Sequence, residues 1–181
     1  MMKKILIMFV LGVFVICTAA QQSIAVSKES IDTGVERSIE MLKSKPGGEA
    51  VLNKAQGVLV FPAVFRAGIG IGGEYGEGAL LINNKTVDYY NTASASIGFQ
   101  LGAQKKTEIL LFMDKKALEN FQSSSGWEIG ADAAVTLIAI GADGTIDTTQ
   151  TNKPIVAFVF DQKGLMYNLS LEGAKISKIT K

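Results

Sequence analysis

Apolar positions follow two different rhythms along this chain. Between residues 27 and 45, Ile31, Val35, Ile39 and Leu42 recur every three or four positions, with Met41 beside them. That spacing places them on one face of a helix. Ser27 or Ser30 suits the N-cap, and Lys43 and Lys45 fall in the last turn, where positive charge favours the helix dipole. Pro46-Gly47-Gly48 ends the pattern, and a short helical piece is predicted over Glu49 to Lys54.

Beyond this point the period changes to two. Strands are predicted over Gly57 to Phe61, ended by Pro62, then over Ala67 to Ile82 with a break, and over Thr86 to Tyr90 after a turn at Asn83-Asn84-Lys85. Ser94 to Gln104 and Thr107 to Met113 follow, with Lys105-Lys106 read as the hairpin turn between them. A helix is predicted from Asp114, its N-cap, to Phe121. Further strands are expected over Ile129 to Ile140, Ile155 to Phe160, Leu165 to Leu171 and Lys175 to Ile179. Asp143-Gly144 and Gln162-Lys163-Gly164 look like turns, and 141–153 like an exposed loop. Many short strands, few helices and no alternation of strand with helix predict an α+β fold. Its centre is a strongly coiled antiparallel β-sheet or barrel-like sheet, with an N-terminal helix and a few short helices.

Residues 67–78, AGIGIGGEYGEG, contain Gly68-x-Gly70-x-x-Gly73, which as text matches a dinucleotide-binding loop. Such a loop must open a helix whose N-terminus meets the pyrophosphate. Here Glu74-Tyr75-Gly76-Glu77-Gly78 follows, a poor helix start. A simpler regularity is that Gly68, Gly70, Gly72, Gly76 and Gly78 all occupy even positions, which share one face of a strand. A face bare of side chains predicts that another layer of the protein approaches it closely.

Composition narrows the chemistry. With 18 basic and 17 acidic residues among 181, the chain carries no basic excess of the kind that nucleic acid attracts, so no nucleic-acid partner is expected. It has no histidine, which removes histidine triads, histidine general acid–base work and histidine metal ligands. Lys3 and Lys4, the apolar run Ile5 to Ile16 and the small residues Thr18, Ala19 and Ala20 describe a signal peptide over residues 1–20. A second cut after Ala25 is the alternative. The single cysteine, Cys17, lies within that segment. Plain cleavage would leave no thiol at all. Lipidation at Cys17 is disfavoured by the large Ile16 before it. No cofactor and no metal site are predicted, and the expected location is the periplasm or cell envelope, with outer-membrane association as a variant.

The blocks Gln56-Gly57-Val58-Leu59-Val60-Phe61-Pro62, Ala67 to Gly78, Asp88 to Gly98, Gln100 to Gln104, Leu110 to Met113, Trp127, Gly130-Ala131-Asp132-Ala133 and Lys163 to Gly173 occur in this order. Together they resemble the SYLF lipid-binding domain, over roughly residues 30–180. The resemblance implies a single domain over 27–181 that binds phospholipid or a membrane surface without catalysis. Eukaryotic members of that family resemble phosphoinositide binders with a basic N-terminal helix, and some bind actin through added elements. A leader and the lack of such additions make this chain similar to the bacterial, exported branch. Its first helix departs from the basic pattern, since Lys28, Arg37, Lys43 and Lys45 are offset by Glu29, Asp32, Glu36 and Glu40.

Two readings stand for each candidate site. The first helix either lies on a bilayer or covers the open end of a barrel. Lys43, Lys45, Lys54 and Arg66 either gather at one rim to meet a lipid phosphate or are solvated surface charges. Glu74, Glu77 and Asp132 are candidate buried acids, held by backbone N–H groups or an arginine, or else paired for acid–base work. Glu74 and Glu77 face opposite sides of a strand. Phe65, Tyr75 and Trp127 either line an acyl pocket or pack in the core. A structural or protein-interaction module of the envelope, without a lipid ligand, is the alternative function.

Overall fold

The computed structural model describes residues 26–138, 145–146, 148–161, 164–165 and 171–181. The segment expected to be a signal peptide, with Cys17, the expected turn residues 143–144 and 162–163, and residues 139–140 and 166–170 of the expected strands lie outside these. Helix α1 (Lys28–Lys43) begins at Ser27, whose Oγ accepts the Ser30 N–H at 3.2 Å. Helix α2 (Gly48–Leu52) follows directly. Then come two long strands, β1 (Gly57–Ile82) and β2 (Lys85–Phe112), joined at Asn83 and Asn84, whose φ angles of 51° and 60° make the tight turn that suits the strand twist. Helix α3 (Lys115–Ser123) is capped by Asp114, whose Oδ1 accepts the Ala117 N–H at 2.9 Å. Strands β3 (Trp127–Glu128), β4 (Thr136–Leu137), β5 (Ile155–Asp161), β6 (Gly164–Leu165) and β7 (Lys175–Ile179) complete the sheet, with a 3₁₀ turn at Thr148–Asn152.

Several expected breaks are absent. β1 runs straight through Pro62, because the pairing with β2 slips between Phe61 and Val64 and a bulge accommodates the missing N–H. β2 likewise runs through Lys105-Lys106, which pair with Phe65 and Val64 and form no turn. The strand expected over Ile129 to Ile140 is interrupted instead. Gly130 has φ +95° and the Asp132 carboxylate accepts the Glu128 N–H at 2.7 Å, so the chain turns there. In the expected loop 141–153, Ile146 is buried and donates its N–H to the Pro46 carbonyl.

Seven strands pair in one sheet among the described residues. β2 is its hub. One edge pairs with β1 along almost the whole length, while the other pairs with β7 at Tyr89–Ala93 and with β5 at Lys106–Phe112. These pairings are antiparallel; β4 joins β5 in parallel, so the sheet is mixed. Both faces are covered. Leu59, Phe61, Leu110 and Phe112 point to α3 and Trp127, where Phe121 packs 4.9 Å from both Tyr90 and Phe112 and edge-on to Trp127 at 5.3 Å. The alternate residues Val60, Ile109 and Leu111 meet Ile31, Val35 and Leu42 of α1 and Val51 of α2. Two covered faces explain why β5 is apolar at every position from Ile155 to Phe160.

The β1–β2 ribbon does not lie flat. Midway the register shifts again, between Gly68 and Gly70, with Gly102 and Gly98 opposite. Past this bend, the second half of β1 comes back against its first half. A Cβ on Gly76 would sit 2.8 Å from both the Ala63 carbonyl and a Val64 methyl. One on Gly78 would collide with the Val60 carbonyl and lie 2.7 Å from the Phe61 ring. Bare positions thus allow a backbone-to-backbone approach that no side chain would permit. Gly78→Ala is therefore expected to cost about 3 kcal/mol, at the upper end for overpacking. Gly73→Ala, where the nearest atom is the Ser94 carbonyl at 3.6 Å, is expected to change the urea midpoint little.

Candidate functional site

α1 docks on the first half of β1 through Gly34, where a Cβ would meet Pro62 at 2.8 Å. A second tie comes from the Tyr89 hydroxyl, which donates to both Asp32 oxygens at 2.8 and 2.9 Å. Burial, reinforced by that carboxylate, pushes the Tyr89 hydroxyl up to about 12. The apolar stripe of α1 is consumed by this packing, with Ile31, Val35 and Leu42 buried. Of the two readings of the helix, this arrangement is the covering one.

Beside the contact a cleft of about 590 Å³ opens between α1 and the ribbon. Its walls include Ile31, Met41, Pro62, Phe65 and Tyr75, with Arg37 from the helix and Lys105 from β2. Phe65 and Tyr75 are 56% and 48% exposed, two of the three large apolar side chains so exposed among the described residues. Alternation explains why. Val64 next to Phe65 is buried, and Gly76 next to Tyr75 makes the close contact with it. Lys105 stands directly opposite Phe65 across the strands, with its ammonium 5.8 Å from the ring centroid. Tyr75 donates to Glu77 Oε1 at 2.9 Å, and burial followed by this carboxylate raises the phenol above its ordinary value. Lys181 reaches the other Glu77 oxygen at 2.6 Å and donates to the Val26 carbonyl at 2.9 Å, closing the end of the cleft where α1 begins.

A second cluster clasps the bend. Arg66 lies 3.4 Å from Glu74 Oε1, so the two halves of β1 are joined by charge as well as contact. Lys106 sits between Glu74, at 2.6 Å, and Glu108, at 2.9 Å. The Lys106 and Glu108 side chains are only 5% and 3% exposed, which makes this a desolvated group of charges. Burial alone would lower the Lys106 value, but the two carboxylates outweigh it and hold the ammonium above its usual range. Burial pushes the Glu108 carboxyl up, and Lys106 offsets this only in part.

The other anticipated residues are dispersed. Lys43 and Lys45 border a shallow hollow at the end of α1 with Gly47, Glu49 and Asn53, and Lys43 pairs with Glu40 at 2.8 Å. Lys54 is exposed just after α2, whereas Arg66 belongs to the clasp, so the four cations do not form one rim. Glu74 and Glu77 are mostly buried and answer to different cations, Glu74 to Arg66 and Lys106, Glu77 to Lys181. Asp132 is exposed rather than buried, because it serves a turn and not a strand. Trp127 is in the core, away from the exposed pair Phe65 and Tyr75. Sequence reasoning missed Arg37, Lys105, Lys106, Glu108 and Lys181. Glu108 alone carried a signal: an acid within the apolar run to Met113, on the same face as Lys106. Among the described residues, no group of three or more His, Cys, Asp or Glu is placed to hold a metal ion, and no helix is long and apolar enough to cross a membrane.

Residues 93–181 match the family model Ysc84, described as Las17-binding protein actin regulator. Residues 93–181 are thus a SYLF-family domain. No curated protein matches it significantly. The SYLF match begins within β2 and takes in Lys105, Lys106, Glu108, β5 and β7. Their partners Phe65, Arg66, Glu74 and Tyr75 come from β1, and Arg37 from α1, so both cleft and clasp are assembled across the start of the matched segment.

The clasp makes a sharp prediction. Lys106→Met leaves Glu108 buried without its cation and is expected to cost about 3–5 kcal/mol. Adding Glu108→Leu removes the orphaned charge and should restore most of that loss. Urea unfolding of the single and double variants checks this, and a double variant no more stable than the single one would contradict it.

Proposed function

We propose that this SYLF chain is a non-catalytic lipid-binding module, exported to the periplasm or cell envelope, and that lipid meets it at the cleft between α1 and the β1–β2 ribbon. The observation that carries the reading is the pairing, at one opening, of two exposed aromatic rings with two cations: Phe65 and Tyr75 with Arg37 and Lys105. An apolar wall with a cationic edge is complementary to a molecule that is apolar along its length and anionic at its head. The carboxylates nearby argue against acid–base chemistry. Glu74 and Glu108 are both held by Lys106, and Glu77 by Lys181, so each is occupied in holding the fold. Lys45 and Lys54, which form no ion pair among the described residues, add long-range attraction to an anionic surface. Lys43 and Arg66 are left out, since Glu40 and Glu74 already neutralise them.

A protein-interaction module is the second reading, favoured by the description of the matched family, which names Las17 binding and actin regulation. Exposed aromatic rings serve that role too.

Co-sedimentation with vesicles separates the two. The chain is expected to bind phosphatidylglycerol vesicles and to bind phosphatidylcholine vesicles more weakly. Phe65→Ser with Tyr75→Ser should weaken binding at least tenfold, since each ring buries about 1.5–3 kcal/mol of apolar surface and about 1.4 kcal/mol is tenfold. No binding to either vesicle, together with a defined protein partner lost in the same double variant, would replace the lipid reading by the second one.

A further inference from the structure

We propose that the bend of the β1–β2 ribbon is a second lipid contact, which inserts its tip into one leaflet of an anionic bilayer. The proposal takes the kind of partner from the lipid reading above and adds a site apart from the cleft. Three observations lead to it.

The first is an interval without charge where the ribbon turns. No Asp, Glu, Lys or Arg occurs from Ala67 to Gly73 or from Asn91 to Gln104. The register places five large apolar residues at the bend. Ile71 pairs with Ile97, and between the Gly68–Gly102 and Gly70–Gly98 pairs β2 spends three residues, Phe99 to Leu101, to pass Ile69 alone.

The second is what borders this interval. Phe65 stands four residues before Ile69 and Tyr75 four residues after Ile71, and both rings are exposed. The extra residues belong to β2, so β1 keeps its alternation through the bend. Ile69 and Ile71 therefore share a strand face with Phe65 and Tyr75. Lys105, opposite Phe65, is exposed and forms no ion pair among the described residues. The last charges on the two arms of β1, Arg66 and Glu74, neutralise each other at 3.4 Å. An uncharged apolar tip, then aromatic rings, then a free ammonium follows the polarity of an anionic bilayer from its hydrocarbon outward to its phosphates.

The third is reach. The close contact of Gly76 with Ala63 and Val64 brings the two arms together just below Phe65 and Tyr75. From there, four residues of extended chain span at most ~13 Å on each arm. That covers the ~5–10 Å to which interfacial elements are buried and falls well short of the ~30 Å hydrocarbon core. The tip thus meets the acyl chains of one leaflet while Phe65, Tyr75 and Lys105 stay at headgroup level, where a long lysine side chain keeps its ammonium in water.

The test uses the whole chain with Cys17→Ser, which removes its only cysteine. A single environment-sensitive fluorophore is then attached through Phe99→Cys or, as a control on the exposed surface of α3, through Lys116→Cys. On phosphatidylglycerol vesicles the emission at position 99 is expected to rise about threefold, and to be quenched more by lipids spin-labelled high on the acyl chain than by lipids labelled near its end. Position 116 is expected to stay in water. The readout belongs to one position, so attachment through another part of the chain does not mimic it. If Phe99→Cys lowers the melting temperature, Leu101→Cys takes its place. Vesicle binding with the tip label still in water overturns the insertion and leaves the lipid reading standing. Shielding of that label without vesicles places the tip inside the protein or between two copies, and overturns the insertion as well. Absence of vesicle binding removes both.

Discussion

The contact on which this structure depends is between the two halves of one strand. β1 returns against itself where Gly76 meets Ala63 and Val64, and Gly78 meets Val60 and Phe61. Such an approach brings main-chain polar groups and side chains together without an intervening layer, and only positions without Cβ permit it. Arg66, Glu74, Lys106 and Glu108 then fix the fold-over with charge. Ions so deeply desolvated add little net stability against an apolar replacement. Their value is that the bend has one satisfied arrangement: opening it would leave Lys106 and Glu108 buried beside a missing partner, or expose the core.

The cleft follows from this geometry. Doubling the ribbon sends Val64 and Gly76 inward and leaves Phe65 and Tyr75 outward on the same opening. α1 closes the opposite wall because Gly34 lets it settle on Pro62 and Asp32 receives the Tyr89 hydroxyl. The helix thus uses its apolar stripe for the fold and offers the flank that carries Arg37 to the cleft. An amphiphile would meet preformed walls, which keeps the ordering cost of binding low.

How much of this was legible in the sequence depended on how local each cause was. Ser27 and Asp114 were readable as caps, and Asn83-Asn84 as a turn, because their reasons lie within a few residues. Of the even-numbered glycines, Gly76 and Gly78 announced a close contact, although its partner could not be named. Pro62 and Lys105-Lys106 misled for the opposite reason. A proline or a pair of lysines usually ends a strand, but here a bulge absorbs the one, and Glu108 together with the distant Glu74 neutralises Lys106. Asp132 misled through the small residues around it, which belong to a turn. The site itself was the least legible. Arg37, Phe65, Tyr75 and Lys105 become neighbours only once the ribbon has folded over, and no period in the sequence encodes that.

The most direct measurement is therefore of the fold-over itself, by proton–proton cross-relaxation in an isotopically labelled chain. Strong cross-peaks are predicted between the Gly76 Hα protons and a Val64 methyl, and between the Gly78 Hα protons and the Phe61 ring, unchanged when an amphiphile is added. Their absence, with the cross-strand peaks of Gly76 to Thr92 and Gly78 to Tyr90 intact, would describe a ribbon that is paired but open, and would contradict both the clasp and the cleft.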